Sequence, residues 1–223
     1  MSRATIGLLF IVAACYPGGR YFRPADSFGH LPIHPDTGEP AIASFYCMTG
    51  LRELPEGAES LRLITAIWED GTLCWSHDRT NGGRPYSTTR VSAERAAAAV
   101  DALEAALDRP SDYYIFDADH QVIAWRSAEG FFAAWSSIDL FESDSRLVAT
   151  DHGGVEALNG RDRTEALRAA SEEHRALRTH WAVARQILAD LLPASGEPLS
   201  TSSFDWACWD GGEGRGQTVP GAH

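Results

Sequence analysis

Histidine beside aspartate is the residue pattern in this sequence that could do chemistry. Such neighbours occur in three places: His77-Asp78, Asp117-x-Asp119-His120 and Asp151-His152. Each falls at a predicted strand end or turn, and the ends of neighbouring strands can converge at one edge of a sheet. Two histidines with a carboxylate make a common metal site. One hypothesis is therefore a metal-dependent hydrolase that uses His77, Asp117, His120, Asp151 and His152.

The competing interpretation is that these pairs form ordinary turns, because aspartate side chains bond the nearby backbone. No metal-binding spacing supports the first hypothesis. The sequence has no H-E-x-x-H motif, and His30 and His34 lie four apart in a proline-rich stretch rather than on a helix. The turn interpretation is favoured, and no cofactor is expected.

Several other chemistries are excluded by composition. The sequence contains no lysine, so all 19 basic residues are arginine. A Walker A phosphate loop and a Schiff-base lysine are both ruled out. No Gly-x-Ser-x-Gly elbow is present. No catalytic residue is assigned, and a non-enzyme is favoured. The net charge of −12 argues against a nucleic-acid partner.

The N-terminus carries a different signal. Residues 4–14 are uncharged and mostly apolar, and Arg3 precedes them. The run is shorter than the roughly 20 residues that span a bilayer, but it suits the apolar region of a secretory signal. The tetrapeptide Val12-Ala13-Ala14-Cys15 resembles the lipobox of bacterial lipoprotein signals. That resemblance implies cleavage before Cys15 and lipidation of its thiol. The alternative is a buried N-terminal strand of a cytosolic domain.

The rest of the chain divides by composition into three parts. Residues 15–58 are rich in proline and glycine and predict a tether. Residues 59–193 predict a single domain. Residues 194–223 predict a polar tail with an edge strand at 203–209 and a disordered end.

Within the domain, the patterns predict a sheet and two helices. Asp70-Gly71 predicts a two-residue hairpin turn that pairs Trp68 with Leu73. A second hairpin is predicted between 113–116 and 122–125, and residues 130–137 suit a third strand or a helix.

Ser92 predicts the start of a helix that Pro110 ends. A long helix is predicted over 164–192, with a break near Ala170-Ser171. Its apolar stripe has helical spacing and comprises Leu177, Trp181, Ala184, Leu188 and Leu191. The predicted fold class is α+β: an antiparallel sheet from two hairpins or a meander, packed against a mid-chain helix and a long C-terminal helix.

These expectations combine into one functional hypothesis. If Cys15 is lipidated, Cys47, Cys74 and Cys208 remain, and sequence does not choose a disulfide among them. The expected protein is an envelope-anchored, lipoprotein-like binding or structural protein that faces the periplasm or exterior. Its partners would be the membrane, through Cys15, and an unidentified protein or small molecule. The metal-dependent hydrolase and the cytosolic domain are the alternatives.

Overall fold

The computed structural model describes residues 29–49, 59–107, 119–128, 130–137, 147–149, 155–157, 172–201, 203–209 and 217–219. The helices within these described residues are α1 (Ala93–Ala106) and α2 (Glu172–Leu191). The strands are β1 (Gly29–Pro32), β2 (Ala43–Met48), β3 (Leu61–Ile67), β4 (Thr72–Ser76), β5 (Tyr86–Arg90), β6 (His120–Ser127), β7 (Gly130–Ser137), β8 (Leu147–Ala149), β9 (Val155–Ala157), β10 (Glu197–Leu199), β11 (Trp206–Trp209) and β12 (Gln217–Val219).

The described strands form three sheets, and every pairing is antiparallel. The large sheet has seven strands in the order β10-β5-β4-β3-β2-β6-β7. A small sheet has the order β1-β11-β12, and β8 pairs with β9 alone. The predicted fold class, an antiparallel sheet packed with two helices, is confirmed.

Both faces of the large sheet are buried, so the fold has three layers. On one face, apolar residues of β2, β3, β4, β6 and β7 pack with α1 and α2 in a cluster that we call the helix-side core. On the other face, a cluster that we call the aromatic core joins the large sheet to β1 and β11. Leu31 joins it from β1, and its buried aromatic members are Tyr46, Trp68, Tyr86, Trp135, Phe204 and Trp206.

The two helices lie side by side and cap each other's ends. Ser92 caps α1 as predicted, because its side chain accepts the backbone N–H of Arg95. His180 Nδ1 donates to the last-turn carbonyl of Ala106, 2.7 Å away, and Arg95 donates to the carbonyl of Asp190 at 3.0 Å. These contacts satisfy carbonyls that have no partner inside their own helix.

The predicted stripe of α2 is buried against the sheet. Trp181, Ala184, Leu188 and Leu191 are at most 7% exposed and belong to the helix-side core. The side chain of Leu177 lies outside the described residues, as do 164–171 with the predicted break. Local helical spacing was sufficient to identify the docking face.

The predicted register of the β3–β4 hairpin is wrong by one residue. Trp68 N–H donates to the Thr72 carbonyl, so the loop has three residues rather than two. Ile67 therefore pairs with Leu73, and Ala66 pairs with Cys74. Because successive side chains alternate between faces, the shift separates Trp68 from Leu73: Trp68 joins the aromatic core and Leu73 joins the helix-side core.

The second predicted hairpin is also wrong. Residues 122–125 of β6 pair with β2 on one side and with β7 on the other. Both hydrogen-bonding edges of residues 122–125 are thus occupied, so neither is left for the predicted pairing with 113–116. Residues 113–116 lie outside the described residues. Residues 130–137 are a strand, β7.

The predicted tether and tail both contribute strands. Within 15–58, β1 joins the small sheet and β2 lies near the centre of the large one. In the tail, β11 is the middle strand of the small sheet rather than an edge, and β12 lies where disorder was predicted. Phe204 and Trp206 of this segment are buried. The proline and glycine content of these segments predicted loops. Their strands are short and pair with residues far away in the chain, so no local pattern indicated them.

Candidate functional site

Two of the five predicted metal ligands fall within the described chain. His77 follows β4 on the surface, and its Nε2 lies 2.8 Å from Ser87 Oγ. His120 begins β6 and is 1% exposed, with its ring edge-on to Trp135. Asp117, Asp151 and His152 lie outside the described residues.

The structure does not bring His77 and His120 together. Strands β3 and β2 separate β4 from β6, and three strand spacings put the two histidines about 14 Å apart. Among the described residues, no group of three His, Cys, Asp or Glu side chains could hold a metal ion.

A row of polar side chains crosses the large sheet near the start of β6. Cys47 of β2 pairs in register with Arg62 of β3 and with Gln121 of β6, and Gln121 pairs with Ser136 of β7. Residues in register point to the same face, and Cys47 belongs to the helix-side core. We call these four residues the polar row.

The loop between β4 and β5 closes over the polar row. The carbonyl of Thr80 accepts from Cys47 Sγ at 3.4 Å and from Gln121 Nε2 at 3.1 Å. Asp78 Oδ1 accepts the backbone N–H groups of Thr80 and Asn81, which fixes the turn. The Thr80 carbonyl thus accepts hydrogen bonds from the two central members of the polar row, Cys47 and Gln121.

The thiol of Cys47 is not an activated nucleophile. Burial raises its pKa to about 11, the nearby guanidinium of Arg62 opposes that shift, and the carboxylates of Asp119 and Asp78 add to it. A thiol reacts as its thiolate, which a raised pKa disfavours. The Cys47 thiol therefore acts in the row as a hydrogen-bonding group rather than as a thiolate nucleophile.

Three atoms of the polar row have no hydrogen-bond partner in the structure. They are Arg62 Nε, Gln121 Oε1 and Ser136 Oγ, and each is buried. Together they supply a donor, an acceptor and a hydroxyl that can do either. Their chemistry suits a small uncharged hydrogen-bonding molecule, of which water is the simplest.

A second group of polar side chains lies against the aromatic core around His30, which is half-buried. The His30 ring is edge-on to Tyr46 and to Trp206, with ring centroids 5.9 Å and 6.4 Å away. Burial lowers the pKa of His30 to about 4, and burial raises the pKa of Tyr46 well above its usual value. Both side chains are therefore neutral at pH 7.

The cysteines of the described chain do not form a disulfide. Cys47, Cys74 and Cys208 are reduced thiols, and the first two are buried. Burial raises the pKa of Cys74 to about 12. Cys15, the predicted lipidation site, lies outside the described residues.

Sequence reasoning missed both polar groups. The polar row joins residues from four strands whose order in the sheet differs from their order in the chain, so no local spacing marks it. His30 stood in a segment that Pro and Gly marked as a tether. The uncharged, proline-free and glycine-free run of β2, Ala43–Met48, was the signal that could have placed that segment in the sheet, because a strand buried on both faces is a short continuous run of this kind.

Comparisons with known proteins give no relative. No family model matches the chain, and neither a curated protein nor a solved structure is similar to it at a significant level. Among the described helices, none is both long and apolar enough to cross a membrane. Any function must therefore be argued from this chain's own residues.

Proposed function

We propose that this chain is an envelope-anchored, lipoprotein-like protein with a binding or structural role rather than a catalytic one. The observation that carries the proposal is the order of the first fifteen residues: a cation, an uncharged apolar run, two alanines and Cys15. An anchor of two or more acyl chains holds a protein stably, since each buried CH₂ contributes roughly 0.8 kcal/mol.

The position of β1 is compatible with such an anchor. Thirteen residues lie between Cys15 and Gly29, where β1 begins, so 14 residue steps join the two (29 − 15 = 14). That length reaches about 45 Å when fully extended. The folded layers could therefore stand clear of the bilayer, which suits a chain of net charge −12 facing anionic lipid.

The strongly shifted side chains support a non-catalytic role. Burial shifts the pKa values of His30, Cys47 and Cys74 to about 4, 11 and 12, which favours the neutral form of each side chain. A general acid or base works best with a pKa near the operating pH. These shifts move each group away from that range, as expected for side chains that pack and hydrogen-bond.

Acyl labelling in the producing cell tests the proposal. Cells expressing the wild type, Cys15→Ala or Cys208→Ala would be fed labelled palmitate, and the purified protein would be assayed for label and fractionated. We expect the wild type and Cys208→Ala to carry label. Detergent, but not salt, should release both from the membrane fraction. Cys15→Ala should carry none.

Label that persists in Cys15→Ala, or a wild type that carries none, would overturn the proposal. A wild type and a Cys15→Ala variant that are both soluble and unlabelled would favour the cytosolic alternative. Cys208→Ala is the matched control, because that thiol is partly exposed and forms no disulfide.

A further inference from the structure

The side-chain amide of Gln121 is satisfied at one end only. Its Nε2 donates to the Thr80 carbonyl at 3.1 Å. Because a carbonyl oxygen only accepts, that contact requires the NH₂ group and fixes Oε1 at the other end of the amide. Gln121 is 1% exposed, and its Oε1 has no hydrogen-bond partner among the residues that the structure describes. A strong acceptor is therefore held in a known orientation without a donor.

Ser136 of β7 is the register partner of Gln121. Side chains in register on adjacent strands share a face, with Cβ atoms about 5 Å apart. Ser136 is fully buried, and its Oγ also has no hydrogen-bond partner within the described part of the chain. The hydroxyl and the amide oxygen thus lie on the same face without bonding each other directly.

A single water molecule fits the separation and the chemistry of these two oxygens. Two hydrogen bonds of about 2.8 Å each let one water join oxygens that are about 5 Å apart. The residues that flank Gln121 in the polar row, Cys47 and Ser136, have short side chains, which favours space for a third molecule. Buried water is normally found where buried polar groups would otherwise lack partners.

The loop between β4 and β5, residues 77–85, lies against the same amide. The Thr80 carbonyl accepts from Gln121 Nε2 and from Cys47 Sγ, and Asp78 Oδ1 fixes the turn by accepting the backbone N–H groups of Thr80 and Asn81. The Gln121 amide therefore contacts the loop at one end and presents its unsatisfied oxygen at the other. Loss of the Thr80 contact would leave that oxygen free to reorient.

We propose that Gln121 and Ser136 form a buried site for one water molecule, and that the β4–β5 loop controls its exchange with solvent. The water donates to Gln121 Oε1 and also bonds the Ser136 hydroxyl. Opening of the loop withdraws the Thr80 carbonyl, allows the amide to rotate and so releases the water. The site is independent of Cys15, since it depends only on contacts within the described fold.

Oxygen-17 magnetic relaxation dispersion of the purified full chain tests the site, because it detects water that stays inside a protein far longer than surface water. We expect Ser136→Ala to lose the signal of one long-lived water. Ser44→Ala is the matched control: Ser44 is equally buried, but its Oγ donates directly to the His30 carbonyl at 3.0 Å. It should keep the wild-type signal. An undiminished signal in Ser136→Ala, or equal loss in both variants, would overturn the proposal.

A pair of turn aspartates tests the role of the loop. Asp78 and Asp70 are both exposed, and each accepts a backbone N–H of its own turn, from Thr80 at 3.0 Å and from Thr72 at 2.9 Å. Asp78→Ala should shorten the residence time of the water by about tenfold or more, because hydrogen bonds to a charged group are lost. Asp70→Ala should leave it unchanged. Equal residence times in Asp78→Ala and the wild type would contradict control by the loop.

Urea denaturation of Ser136→Ala gives an independent readout. If the hydroxyl bonds a buried water, the substitution removes a hydrogen bond and the urea midpoint should fall. If the hydroxyl is dry and unpaired, its removal relieves the cost of burying it, and the midpoint should not fall. A raised or unchanged midpoint would therefore count against the water site.

Discussion

At the residue scale, two glycines share a backbone conformation but not their surroundings. Gly38 has φ of 75° and Gly71 has φ of 83°. A Cβ on Gly38 would meet nothing within 4 Å, whereas one on Gly71 would lie 2.1 Å from the carbonyl oxygen of Val91. Val91 N–H also donates to the Gly71 carbonyl, so the β3–β4 turn is joined to the start of α1.

We predict that Gly71→Ala is more destabilising than Gly38→Ala. The left-handed conformation alone costs about 1–2 kcal/mol in alanine, and that cost applies at both positions. The overlap with Val91 adds about 1–3 kcal/mol at Gly71 only. Urea denaturation gives both values, and equal losses would contradict the close approach.

At this scale, the sequence predicted a contact only where the two partners lie close together in the chain. Ser92 was identified as an N-cap because its partner is three residues away, at Arg95. The partners of Cys47, Gln121 and His30 lie far away in the chain, so their environments depended on a topology that residue types alone do not fix.

At the scale of elements, a local sequence pattern was enough to predict the buried face of α2. Its buried stripe was predicted because helical spacing repeats every three or four residues. Strands β2 and β3 are buried on both faces, so they lack the alternation that would have revealed their register. The three-residue loop Glu69-Asp70-Gly71 then displaced the predicted pairing by one position.

We predict that the stripe of α2, and not its outer face, stabilises the fold. Leu188 is 2% exposed and Val183 is 48% exposed on the same helix. Leu188→Ala should lower the free energy of unfolding by about 2–5 kcal/mol, and Val183→Ala by no more than about 0.5 kcal/mol. Chemical denaturation compares them. Similar losses would show that α2 does not dock through this face.

At the scale of the whole molecule, the small sheet joins the two ends of the chain. Strand β1 comes from the predicted tether, and β11 and β12 come from the predicted tail. The α+β class was predictable because helices and strand-like runs each leave local patterns. The third layer was not predictable from sequence, because it is made by pairing residues near 30 with residues near 208.

We predict that the C-terminal strands are required for a cooperative fold. A chain ending at Ser200 lacks Phe204 and Trp206, which are 6% and 8% exposed. Losing a buried aromatic side chain costs about 3–5 kcal/mol, so two such losses rival a typical net stability of about 5–15 kcal/mol.

A chain ending at Val219 is the control and should unfold like the full chain. Near-ultraviolet circular dichroism and urea titration would follow both. If the chain ending at Ser200 kept the urea midpoint of the control, the aromatic core would not depend on β11.

The cellular role rests on the chemistry of Cys15, and intact mass of the protein recovered from its own cell's membranes tests that most directly. We expect the mass of residues 15–223 increased by a covalently bound acylated glyceride, with the modification mapping to Cys15. A mass of 24.3 kDa, that of the unmodified full-length chain, would contradict the account.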